Sequence, residues 1–335
     1  MAMKFGLALD FATPVRTLDQ QLDRYMELLR LGERYGFDSV TAGEGYGTHP
    51  DWGHVSSPLL VLAALAPRTS LRLGTSVTLL PSWNPLKLAF DAAVLDQITG
   101  GRFILGVGLG GRAVQLKFGT DPERLAEFMD DSLAMMRALW AGEAGYEGSY
   151  LSTSQGIGMR PVRPSGPTMW VGGSVRRSAE RAARWGNGWC ASTNYPFATI
   201  ARQSERYREA LSGQGGDPGT ASVAINRLAV VADSDEAARK AARVYAGRVL
   251  QRYARNRALG DDPAVISGQP EELFERFEAD WCLVGTPEGV TQRIQRYADA
   301  GVTQIQMRLS PDDIPVETAA RTIELLGTAV LPKFQ

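Results

Sequence analysis

The 335 residues of the chain leave either two medium-sized domains or one large α/β barrel open, because such barrels run to about 250 residues and beyond. Hydrophobic residues make up 44% and charged residues 22%, which excludes a disordered or fibrous chain. With 36 Lys and Arg against 37 Asp and Glu, the net charge of −1 supplies no long-range field for nucleic acid or an anionic membrane, so neither is an expected partner.

Cys190 and Cys282 are the two cysteines, far apart and without CxxC spacing. That pattern argues against a zinc site and a disulfide scaffold, and a reducing cytoplasmic location is expected. The start, MAMKFGLALDF, has neither a basic region feeding a long apolar segment nor a small-residue cleavage site. The longest later apolar run, residues 59–66, is too short to span a bilayer.

In chain order, short β-rich runs alternate with stretches of helical period, the pattern of parallel βα units. Residues 4–9 predict a strand. Leu18, Leu22, Tyr25, Met26 and Leu29 then mark one helix face, entered through Thr17 and Gln20 as a capping box. Strands are predicted at 37–41, 71–78 and 103–107, with helices at 57–66 and 86–97 between them. Residues 112–120 carry no helical punctuation. Asp121 and Pro122 then read as N-cap and N1 of a helix bearing Leu125, Met129, Leu133, Met136 and Trp140 on one face. Pro161, Pro164 and Pro167 punctuate an irregular stretch.

The alternation resumes with strands at 169–172, 188–192 and 223–232 and helices at 174–185 and 198–211. Helical stretches follow at 234–257 and 271–280. Thr286 caps a further helix with Pro287 at N1 and Gly301 past its end. A strand at 302–309 and a helix at 316–330 complete eight βα units. The expected fold is therefore a (β/α)8 TIM barrel forming a single domain over 1–335, with insertions after strand 4 (142–167) and after strand 7 (244–280) as candidate lids. A doubly wound open sheet is the alternative.

Barrel active sites lie at the C-terminal strand ends. Those ends are Asp10, Glu44, Thr78 with Leu79, Gly108, Gly173, Ser192 with Thr193, and Arg308. Both histidines of the chain, His49 and His54, follow strand 2 with Glu44, Tyr46, Asp51 and Trp52, which makes that loop a candidate for proton transfer. Solvated loop histidines are the plainer reading. His49, Asp51 and His54 formally match a facial triad for iron, but three ligands within six residues is an unusual geometry, and no metal is expected. Gly106, Gly108 and Gly111 match GxGxxG, yet no helix is predicted at the glycines. They read as bare backbone for the approach of a flat group, or as a simple loop. A stronger anion signal is Gly172-Gly173-Ser174, which follows a strand and opens a helix, with Arg176 and Arg177 adding charge.

Several segments together resemble the luciferase-like flavin-dependent oxidoreductases. They are RYGFDSV at 34–40, the run TSLRLGTSVTLLPSWNPLKLAFDAAVLDQITGGRFILGVGLG at 69–110, FG at 118–119, MWVGGS at 169–174, RWGNGW at 184–189 and VGTPEGVTQRIQRYADAGV at 284–302. Taken in that order the set is specific, and it covers nearly the whole chain. The resemblance implies a barrel that binds reduced FMN at its C-terminal face and activates O2 to oxygenate a small organic substrate.

Carried onto this chain, it puts Thr75, Ser76, Val77 and Thr78 beside the flavin ring, with a cis peptide at Ser76–Val77. Gly108 and Arg112 lie on the cofactor side. Gly172, Gly173 and Ser174, assisted by Arg176 and Arg177, hold the phosphate. Glu44 with His49 or His54 manages protons, and Tyr46, Trp52, Trp83 and Trp189 form pocket walls. A homodimer and a separate flavin reductase are the implied partners. Two departures stand out: Gly45 occupies the position of the family's histidine after strand 2, and Leu109 that of a common arginine after strand 4. With the EGYG segment, they keep open, as the alternative to FMN, the branch that uses the deazaflavin coenzyme F420 for hydride transfer without oxygen. A non-catalytic binding barrel is the third alternative.

Overall fold

Residues 2–10, 17–46, 57–310 and 314–335 are described by the computed structural model. Eight strands take the expected places: β1 (Lys4–Leu9), β2 (Ser39–Ala42), β3 (Arg72–Thr75), β4 (Phe103–Gly108), β5 (Thr168–Gly172), β6 (Gly188–Ala191), β7 (Val223–Val231) and β8 (Gln304–Ser310). Their order in one sheet is β7-β8-β1-β2-β3-β4-β5-β6, with β7 also pairing β6, the cyclic order of a (β/α)8 TIM barrel. By chain contacts the molecule divides into two units, one comprising Met1–Val40, Ala191–Glu205 and Ser222–Gln335, the other Thr41–Cys190 and Arg206–Ala221.

In the first unit, β8 lies between β1 and β7 in parallel register, Lys4 opposite Gln304 and Ala224 opposite the same residue. Helix α1 (Leu18–Arg34) begins as its sequence dictates: Gln20 N–H donates to Thr17 Oγ1 at 3.3 Å and Thr17 N–H to Gln20 Oε1 at 3.1 Å. It buries Leu22, Tyr25, Leu28 and Leu29. Between β1, β2 and β8 the interior is polar. Gln304 and Gln306 each donate from Nε2 to Ser39 Oγ at 3.0 Å, and Gly6 is required there because a Cβ would overlap both Ser39 and Gln306.

The insertion after β7 is helical: α8 (Asp235–Arg255), α9 (Pro263–Ile266) and α10 (Pro270–Trp281). It begins earlier than the expected residue 244. A short strand, Cys282–Gly285, pairs parallel with Leu228–Val231 of β7. Four apolar residues directly after a helix offer no period to read, so it is absent from the sequence prediction. Helix α11 (Pro287–Asp299) starts at the Thr286 cap as expected, with Gly301 at φ +83° beyond its end. The C-terminal helix α12 (Val316–Leu325) is shorter than expected. It passes into a π turn at Leu326–Val330 and a 3-10 turn at Leu331–Phe334, where Pro332 cannot continue the helix.

In the second unit, helices α2 (Pro58–Leu65), α3 (Pro85–Ile98), α5 (Leu125–Ala141), α6 (Arg176–Trp185) and α7 (Phe197–Gly213), the last only in part, accompany the strands. Asn84 caps α3 by accepting from the N–H groups of Leu86 and Lys87. Two expectations fail here. Residues 112–117 form a short helix, α4 (Arg112–Lys117), entered at Gly111. Helix α5 starts at Leu125 rather than Pro122, because Asp121 Oδ1 takes the Glu123 N–H at 2.9 Å and its carbonyl takes Arg124 N–H, closing a turn instead. Met129, Leu133, Met136 and Trp140 form its buried face.

The segment 142–167 contains a small hairpin, Tyr146–Glu147 against Ser152–Thr153. One buried carboxylate pins it: Asp131 accepts from Tyr146 Oη at 3.1 Å, Tyr150 N–H at 2.5 Å and Leu151 N–H at 2.9 Å. Gly148 lies so close to that carboxylate that a Cβ would collide with it.

Candidate active site

Glu44, two residues past β2, sits in a cage of donors. Its Oε1 accepts from Tyr46 Oη at 2.6 Å, Ser82 Oγ at 2.5 Å and Trp83 Nε1 at 3.1 Å, and its Oε2 from Leu79 N–H at 3.0 Å and Trp83 Nε1 at 2.9 Å. The local sequence builds this cage. A short extended pair, Thr78–Leu79, and the 3-10 turn Leu80–Ser82 fold back so that one backbone donor, one hydroxyl and one indole converge. Burial pushes the Glu44 carboxyl above its ordinary range, and the hydrogen bonds from Ser82, Tyr46, Trp83 and Leu79 pull it part of the way back. Burial and the Glu44 carboxylate push the Tyr46 phenol up to about 12, so it stays a hydroxyl near neutrality.

The two carboxylate oxygens are chemically unlike. Oε2 faces only N–H donors, which cannot reverse. Oε1 faces two hydroxyls that turn from donor to acceptor when the carboxyl takes up a proton, so Oε1 is the oxygen that can carry one. The Tyr46 ring packs edge-on against Phe118, centroids 4.7 Å apart, while Phe118 keeps 39% of its surface exposed. Tyr46, Trp83 and Phe118 thus surround the acid with aromatic rings.

Beside this cage, β3 ends at the cis peptide Ser76–Val77, as the family resemblance implied, and the expected strand 71–78 is broken there. Ser76 and Val77 are half-buried, Gly43 is exposed, and Ser76 N–H donates to Ala42 O at 2.9 Å. The surface so made is backbone and small side chains, a floor for a flat ring. Thr75 is not part of it: it is fully buried, with Oγ1 donating to Gly106 O at 2.8 Å and accepting Gly106 N–H at 3.0 Å. Thr78 is buried as well, and its Oγ1 has no partner among the described residues. The glycines of β4 serve packing first. A Cβ at Gly106 would overlap the Thr75 carbonyl, and one at Gly108 would lie 3.1 Å from Val77 Cγ2.

Gly172, Gly173 and Ser174 precede α6, which starts at Arg176 with Val175 as N-cap, two residues later than expected. Gly173 holds φ +146° and Ser178 N–H closes on Val175 O. No side chain caps this helix. The N–H groups of Arg176 and Arg177, which lack carbonyl partners within the helix, therefore remain open to an anion. Ser174 is exposed beside them. Arg176 pairs with Glu180 at 3.0 Å, and Arg177 lies 3.8 Å from Asp130, both guanidinium groups well exposed.

Trp189 corrects an expectation: it is fully buried and donates to Gly173 O at 2.9 Å, so it props the glycine turn and is no pocket wall. Arg112 is exposed at the start of α4. His49, His54, Asp51 and Trp52 lie outside the described residues. Among the described residues no group of three or more His, Cys, Asp or Glu is arranged to hold a metal. Cys190 and Cys282 are buried, unpaired and pushed up to about 12 by burial, which leaves them unreactive. Ser82 and Phe118 are cage neighbours that sequence reading missed, whereas Leu79 was named as a strand end without its N–H being given a partner. The one available signal was their place in the segment carrying the resemblance.

In the first unit, the ends of β1 and β8 carry an ion pair between a buried guanidinium and a half-buried carboxylate. Arg308, 7% exposed, donates from Nε and Nη2 to the two Asp10 oxygens at 2.9 and 3.0 Å and lies 3.3 Å from Tyr253 Oη of α8. Tyr245 of the same helix donates to Ala229 O at 2.9 Å. Helix α8 is thereby fastened over the ends of β7 and β8.

Residues 3–304 match the family model described as luciferase-like monooxygenase. The chain is 27% identical over 361 residues to 2,5-diketocamphane 1,2-monooxygenase 1 of Pseudomonas putida, covering 96% of each. It is 29% identical over 324 residues to the F420-dependent hydroxymycolic acid dehydrogenase of Mycobacterium tuberculosis, covering 93% of this chain and 85% of that protein. Among solved structures, monooxygenase RslO1 of Streptomyces bottropensis superposes with a TM-score of 0.82 at 27% identity, over 99% of this chain and 100% of that one.

Proposed function

Because the chain belongs to the luciferase-like monooxygenase family and is an oxidoreductase of that family, we propose that it is the oxygenase of a two-component system that uses reduced FMN and O2 on a small organic substrate. The observation that carries the reading is the half-buried Ser76–Val77 floor beside a half-buried carboxyl whose pKa burial raises, in a unit that also contains an uncapped helix start. These residues fit a flavin phosphate cofactor: a flat floor for the ring, an unpartnered Thr78 hydroxyl nearby in sequence, and open N–H donors for the phosphate. Held there, reduced FMN would supply the two electrons that, with two protons, reduce one atom of O2 to water while the other enters the substrate.

The chain's own residues do the rest. Gly43, Ser76, Val77 and Gly108 seat the ring; Ser174 and the first turn of α6, with Arg176 and Arg177, hold the phosphate; Arg112 adds charge at the rim. Glu44 Oε1 stores a proton and passes it through the Tyr46 or Ser82 hydroxyl. Tyr46, Trp83 and Phe118 exclude water from that acid. His49, His54 and Trp52 remain proposed members of the same loop. A double substitution, Ser174→Ala with Arg177→Ala, is expected to weaken FMN binding by about 1–3 kcal/mol. Fluorescence titration checks it, and unchanged affinity would move the phosphate elsewhere.

A second reading is hydride transfer with coenzyme F420. Gly45 and Leu109 stand where a histidine and an arginine are common in FMN-using members, and the F420-dependent relative supports it. Anaerobic titration with reduced FMN and with reduced F420, followed by tryptophan fluorescence, separates the two. Preference for FMN and incorporation of one 18O atom from 18O2 into product upholds the first; preference for F420 without oxygen uptake overturns it.

A flavin reductase partner and a cytoplasmic location complete the proposal, the latter on the two unpaired thiols. No helix of the described residues is long and apolar enough to cross a membrane. We also assign a homodimer. Helix α2 is apolar all round, it packs on α3, and Leu60 is 72% and Ile98 54% exposed. Leu60→Glu with Ile98→Glu is expected to halve the mass seen by light scattering; a parent protein that is already monomeric would remove the assignment.

A further inference from the structure

Between the start of α8 and the length of α11 lies a cavity of about 470 Å³, walled by Asp235, Arg239, Val284, Gln292, Arg293 and Arg296. That volume is within the range of small-molecule sites. None of these residues belongs to the Glu44 cage, the strand-end floor or the start of α6.

Positive charge is in excess there. Glu278, nearly fully buried, divides its two oxygens between Arg239 Nη1 at 2.6 Å and Arg293 Nη1 at 2.5 Å. Glu275 is shared by Arg239 and Arg243. Asp235 is committed to the Thr286 N–H at 3.0 Å. Four guanidinium groups therefore meet three carboxylates. Arg293 keeps Nε and Nη2 without a hydrogen bond among the described residues. The Arg296 guanidinium makes none among the described residues, and its carbon lies 3.7 Å from the centroid of the Phe197 ring.

The geometry points to a binding site for a phosphorylated small molecule, its phosphoryl oxygens taken by the unspent forks of Arg293 and Arg296 and its carbon skeleton lying on Val284. Planar guanidinium groups match phosphoryl oxygens two at a time, and a hydrated ammonium would not. Gln292 supplies a neutral donor on the α11 wall.

The test uses the full chain and inorganic pyrophosphate, titrated calorimetrically at constant ionic strength. Saturable binding is expected, weakened about tenfold by Arg296→Ala and likewise by Gln292→Glu, which introduces a carboxylate. Both residues are exposed, so the melting temperature without ligand should stay at the parent value. Ser174→Ala should leave this binding unchanged, separating it from the α6 start. Absence of saturable binding, or parent-like titration by both Arg296→Ala and Gln292→Glu, overturns the assignment.

Discussion

Glu44→Ala is expected to cut turnover by about a hundredfold or more, the usual yield of a positioned acid or base. The substitution also strands Leu79 N–H and Trp83 Nε1, so a fall in stability accompanies it. Glu44→Gln separates the two effects: it keeps the shape but turns an amide NH2 toward donors on one side and cannot hold the proton. The pH dependence has a definite sign. The folded-state pKa of Glu44 is raised, so between the ordinary carboxyl value near 4.5 and the raised value the folded chain holds a proton that the unfolded chain has released. Stability contributed by this group is therefore present at low pH, falls as pH rises through that window, and is level above it. Urea unfolding from pH 4 to 8 should show that fall in the parent and lose it in Glu44→Gln. Full turnover in Glu44→Ala would remove Glu44 from proton handling.

Asp10→Ala is expected to cost about 3–5 kcal/mol of stability, because it leaves Arg308 charged, buried and without its carboxylate. Asp10 holds that guanidinium charged against the opposing effect of burial. The cost lies in the abandoned charge rather than in the pair. Replacing both partners, Asp10→Ala with Arg308→Met, should therefore recover most of the loss. Urea midpoints of the three proteins decide it. A double variant as unstable as the single would show that the pair itself, through its hold on Tyr253 and α8, supplies the stability.

Features within four residues of one another were legible in the sequence. Thr17 with Gln20 and Thr286 with Pro287 announce their helices because the capping atoms are neighbours in the chain. The eight strands announce themselves because burial on both faces demands continuous apolar runs. The (β/α)8 order follows. What was not legible depends on distant partners. Nothing near Glu44 says that Ser82 and Trp83, almost forty residues on, will close on it, and nothing near Trp189 says that its indole is spent on Gly173. The bareness of Gly106 was legible but its cause was not: a carbonyl of β3 presses on it. Asp121 competes with its own helix through a local turn, which shifted α5 by three residues.

The burial of both cysteines makes the chain silent toward maleimide and iodoacetamide dyes. A single thiol added by Gly111→Cys, where a side chain meets open space and φ is negative, would carry a fluorophore at the entrance of α4 without background labelling. The protein thus comes ready for site-specific optical reporting on events around Phe118, with no native residue to be removed first.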